Sequence, residues 1–206
     1  MIVRFLRPTK SLSIAWAVIL GGVSVLLTAI FCTRGGFVTD GVMDLHFLSL
    51  SSAVAQDGSR FFNNLAQGII NVLWATALLW VAALVMKTRI SAFALSAYLM
   101  HARWPMAVAA GYLLIPGIGD QILALTFELL AAMPTGPDQV MASPRYLLPA
   151  MKLTALSTPL LLTIVWLIWL MYEAYQGLTQ LAHRRAIPSF ALALLVAEGL
   201  SKLTVF

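Results

Sequence analysis

The chain has 206 residues, of which 61% are Ala, Val, Ile, Leu, Met, Phe, Trp, Tyr or Cys and only 10% are charged, and its mean hydropathy is +0.90. Soluble domains carry about 25% charged residues, so too little charge is present to cover a surface in water. The net charge of +5 comes without an aromatic-basic ribbon or nucleic-acid motif, which argues for loops against anionic lipid headgroups and against nucleic acid. Cys32 is the sole cysteine, so no internal disulfide can form.

Arg4, Arg7 and Lys10 precede an uncharged run over 11–33. That run is longer than a signal-peptide core of roughly 7–15 residues, so an uncleaved first span is expected. Ala17 and Gly21 are four apart and would let a second helix approach closely. A polar loop follows over 34–60. Asp40, Asp44 and His46 are metal-binding types, but no second cluster with ligand spacing accompanies them, and no metal site is expected.

The second span is expected over 62–86. Asn64, Gln67 and Asn71 share one helical face. Unpaired amides are costly in lipid, so that face should meet other helices or water, as a hydrogen-bonded seam or a solute path. Residues 90–103 are too short to span. Their apolar positions at helical spacing, flanked by Lys87, Arg89 and Arg103, predict a helix lying in the interface.

A third span over 105–130 is broken at 116–120 by Pro-Gly-Ile-Gly-Asp. Either a short tilted span ends there and an amphipathic helix follows, or two half-length helices form a broken span of the kind that houses transporter sites. Asp120 is a candidate cap for the second half, and Glu128 follows it. Four prolines over 134–151 predict an irregular loop.

The clearest span is 153–172, LTALSTPLLLTIVWLIWLMY, whose length covers about 30 Å as a helix. His183, beside Arg184 and Arg185, is expected at the headgroups. A final span over 187–205 carries Ser189, Ala193, Ala197 and Ser201 as a small-residue stripe for helix packing. Glu198 and Lys202 are four apart in the favourable order for an ion pair. A carboxylate at that depth is also a functional candidate in its own right.

These readings give an all-α fold, a polytopic integral membrane helical bundle in one domain over 1–206, with five transmembrane helices and one interfacial helix. Loops on the N-terminal side hold eight cations (Arg4, Arg7, Lys10, Lys87, Arg89, Arg103, Arg184, Arg185), and the other side holds five (Arg34, Arg60, Arg145, Lys152, Lys202). The positive-inside rule then puts the N-terminus in the cytoplasm and the C-terminus outside, in what is expected to be a bacterial inner membrane.

The stretch Tyr98-Leu99-Met100-His101-Ala102-Arg103-Trp104-Pro105 ahead of a span is one of several short signatures. Others are the break at Pro116 and Gly119, a span bearing Trp166 and Trp169, then Gly177, and Arg185-Ala186 leading into the last span. Over roughly 60–206 this pattern resembles Yip1-domain membrane proteins. The resemblance implies a five-span, non-enzymatic protein of membrane organisation or trafficking. Eukaryotic members engage small GTPases through a longer cytosolic region with an Asp-Leu-Tyr-Gly-Pro motif; the motif is missing from this sequence, so GTPase binding is not carried over.

Nucleophile–base constellations, zinc-protease helix motifs and phosphate-cradling glycine loops are all missing, so neither enzyme activity nor a cofactor is expected. The expected function is that of a scaffold, accessory subunit or membrane-organisation factor, with lipid and other membrane chains or a second copy as partners. The alternative is a small transporter or channel using Asn64, Gln67, Asn71, Asp120, Glu128 and Glu198.

Overall fold

Ser13 starts the first helix by accepting the Trp16 N–H at 3.4 Å, a side-chain N-cap. The computed structural model describes residues 12–38, 42, 46–47, 58–131 and 144–203. Helix α1 spans Ile14–Gly35 and ends at Gly36, whose φ of +71° no β-carbon opposes. A two-residue antiparallel ladder follows, β1 (Phe37–Val38) on β2 (His46–Phe47). Helix α2, Gly58–Val85, closes in a Schellman turn: Lys87 at φ +59° donates to Leu84, and Thr88 donates back to Ala83.

Helices α3 (Ala92–His101) and α4 (Trp104–Leu113) are stacked end to end. Ala102 and Arg103 between them keep right-handed helical backbone angles, so Ala92–Leu113 continues as one 22-residue rod, long enough for a crossing. At Pro116 the chain breaks, Gly117 takes φ +81°, and α5 (Ile118–Ala131) leaves at 84° to that rod. An 84° bend at this break fits both alternatives, a span that ends with an amphipathic helix after it and a broken span. Helix α6 runs Pro144–Thr179 and α7 runs His183–Leu203.

Tertiary contacts fix the directions. Tyr98 donates to the Leu12 carbonyl, the Met100–His101 backbone lies against Gly21, and Gly111 lies against Phe31, so α3–α4 runs parallel to α1. Asn64 reaches Thr33 and Gly68 faces Val25, so α2 is antiparallel to α1. Tyr112 donates to the Leu156 carbonyl, tying α4 to α6. The main core joins Leu79, Leu95, Leu99, Met106, Leu170 and Tyr175, with Phe190 of α7. The result is an all-α polytopic bundle: four helices are long and apolar enough to cross a membrane, or five where Ala92–Leu113 with the bent Ile118–Ala131 counts as one span.

Two expectations change. Residues 90–103 do not lie in the interface; Ala94, Leu95, Ala97, Tyr98, Leu99 and His101 are buried, because alanines here and glycine on α1 let the helices close on each other. The exposed amphipathic helix is α5, in which only Ile122 is fully buried. The proline-rich 134–151 stretch is also not wholly a loop, since α6 begins at Pro144 and continues through Pro149 and Pro159. Pro144 starts the helix where a missing N–H has no partner to lose.

Candidate functional site: a polar seam inside the bundle

The apolar spans isolate one set of polar side chains. On α2, Asn64, Gln67 and Asn71 are all buried, with Asn71 fully so. Gln67 Nε2 donates to Asn71 Oδ1 at 3.2 Å, and Asn64 Nδ2 donates to Thr33 Oγ1 on α1 at 3.2 Å. Ser24 Oγ reaches across to the Met100 carbonyl at 3.2 Å as well as back to Gly21, and Thr28 bonds within α1 to Ser24. Of these links, Asn64–Thr33 and Ser24–Met100 join two helices, and the others satisfy polar groups within one. Removing either member of the Gln67–Asn71 pair takes this hydrogen bond from a buried amide. Gln67→Leu and Asn71→Leu should each cost about 1–3 kcal/mol of stability. The double variant should lose less than their sum in detergent melting curves; additive losses would count against the pairing.

The seam includes two residues that the sequence reading placed elsewhere. His101 is fully buried and Arg103 is 3% exposed, both at the α3–α4 junction in the middle of a crossing. Arg103 donates a guanidinium hydrogen bond to the Val42 carbonyl, and Val42 itself is buried in the main core with Val72, Ala102 and Met106. A residue from the α1–α2 connection is therefore drawn into the bundle and held by an arginine. Arg103 is no loop cation, and removing it leaves seven against five in the charge tally without changing its direction. The available signal was Ala92–Leu113 read as one 22-residue run, which puts both residues inside it.

The other candidates do not join this seam. Asp120 sits at the third position of α5 rather than ahead of it, and both Asp120 and Glu128 are exposed. Glu198 and Lys202 form an ion pair at 3.5 Å near the end of α7, with Lys202 the more exposed partner. Ser189, Ala193, Ala197 and Ser201 are buried, but within this chain. Their helix packs chiefly on α2, and Ser189 also meets Tyr175 of α6 at 3.1 Å, so this stripe is not open to another chain. Ala17 and Gly21 are likewise buried, against α3. His183 is exposed at the start of α7, its Nδ1 2.6 Å from Tyr172 Oη.

Among the described residues no group of three or more His, Cys, Asp or Glu is placed to hold a metal. Asp40 and Asp44 lie outside the described residues, and His46 is described in its backbone only.

The apolar crossings and their internal polar seam define an integral membrane protein of the helical-bundle class. No protein-family model matches the chain, and no curated protein or solved structure matches it. The Yip1-like pattern thus has no support from any match.

Proposed function

We propose that the protein is a non-enzymatic accessory or scaffold subunit of a bacterial inner membrane, with its N-terminus in the cytoplasm and its C-terminus outside. The observation that carries this reading is the coverage of α6. In α1, α2 and α7 the most apolar stretch is 33%, 39% and 39% buried, whereas in α6 it is 11% buried. Leu147, Leu148, Met151, Leu161 and Leu162 all face outward from its first half. A long apolar helix barely covered by its own chain is suited to a second membrane helix. The small-residue stripes cannot serve that role, because they are consumed internally. The Yip1-like signatures suggest membrane organisation as the setting.

A photo-crosslinking residue at Leu148 or Leu162 in native membranes should give a protein adduct of one defined mass. Leu167, fully buried, should give none. Lipid adducts alone at Leu148 and Leu162 would end the proposal.

A transporter reading has one observation in its favour, the burial of Asn64, Gln67, Asn71, His101 and Arg103 within the crossings. Solute flux in liposomes that Asn71→Leu abolished, with the fold retained, would move the conclusion to that reading.

A further inference from the structure

The α6–α7 hairpin leaves an apolar groove of about 590 Å³, lined among others by Val165, Trp169, Tyr172, Ile187, Ala191 and Leu195. Its wall on α7 follows helical spacing. Ile187, Ala191 and Leu195 lie three, seven and eleven residues after Arg184, so Arg184 stands at the end of the same stripe. His183 heads the adjoining stripe through Phe190 and Leu194, and its contact with Tyr172 closes the hairpin end of the groove. Arg184 and Arg185 are exposed, and neither guanidinium has a hydrogen bond or ion pair among the described residues. They also sit on the first turn of a 21-residue helix, where the helix dipole favours an anion, although the N–H groups of Arg185 and Ala186 already donate to the Ala182 carbonyl.

Charge at this end is lopsided. Lys87 and Arg89 end α2 on the same side as the start of α7, and Glu173 is the single carboxylate there among the described residues. A zwitterionic headgroup would find Glu173 alone for its amine, whereas a net-negative one faces four cations against that one carboxylate.

We propose that this groove holds an acyl chain of an anionic phospholipid, whose phosphate sits on Arg184, Arg185 and the first turn of α7. The site begins at Val165, one turn beyond Leu161 and Leu162 of the partner face proposed above, and its test reads lipid retention rather than a protein adduct, so each can fail without the other.

The test uses the full chain in mild detergent, titrated with dioleoyl phosphatidylglycerol or dioleoyl phosphatidylcholine and read by native mass spectrometry and melting temperature. Phosphatidylglycerol should be retained about thirtyfold more tightly, the order expected for two cations near an anionic headgroup. Arg184→Gln with Arg185→Gln should remove that preference. Ala191→Trp, which fills the groove at an exposed position, should weaken retention of both lipids while leaving the lipid-free melting temperature unchanged.

Equal retention of the two lipids would overturn the proposal, as would a preference that survived both variants. Stabilisation by inorganic phosphate equal to that by phosphatidylglycerol would reduce the site to a bare anion contact. A dimer that Ala191→Trp dissolved would give the groove to a second copy.

Discussion

Gly21→Val will push the first and third crossings apart and is expected to be among the most damaging single changes in the protein. A β-carbon built on Gly21 lies 2.6 Å from Met100 Cβ and 2.7 Å from the His101 backbone nitrogen. Neither atom can rotate away. Overpacking of this kind costs about 1–3 kcal/mol even for one added methyl, so Gly21→Ala should already melt early and Gly21→Val earlier still. Gly22 is the internal control: a β-carbon there meets nothing within 4 Å. Gly22→Ala should be neutral, or stabilise by up to about 1 kcal/mol through helix propensity. Thermal melting in one detergent ranks the three, and a Gly21→Ala protein as stable as wild type would refute the close approach of α1 and α3.

Arg103→Met should release the α1–α2 connection from the bundle. Its guanidinium bonds the Val42 carbonyl in an almost dry setting, and a hydrogen bond to a charged group is worth about 1.5–3 kcal/mol. Methionine keeps much of the length but offers no donor, leaving a buried carbonyl unsatisfied. The local opening can be read directly with Val42→Cys in a Cys32→Ala background, using a water-soluble maleimide. Each loss of about 1.4 kcal/mol in closing raises the open population, and so the labelling rate, about tenfold. Unchanged labelling in Arg103→Met would mean that the connection is held by other contacts.

The bundle was largely legible in the sequence because lipid enforces long uninterrupted apolar runs, and α1, α2, α6 and α7 each carry one. The amide face of α2 was equally visible, since three amides at helical spacing in such a run need partners. The third crossing was hidden by its own chemistry. Arg103 lowers hydropathy locally and looks like a boundary, while the arrangement that shields it comes from Val42, some sixty positions away. The small-residue stripe on α7 could be seen, but spacing alone does not say whether such a stripe meets the same chain or another. Helix α6 outran its apolar core at both ends, because Pro144 falls where a starting helix tolerates proline and neither Pro149 nor Gly177 stopped it.

The buried His101 and Arg103 also bear on how the chain is made. Arginine at the centre of a crossing costs about 2.5–3.5 kcal/mol during insertion, so Ala92–Leu113 is a weak signal on its own. The translocation machinery would have to hold this segment until the earlier helices and their connection were present to shield the guanidinium. A glycosylation reporter placed after residue 113 should cross efficiently in the whole protein and poorly when residues 1–57 are deleted.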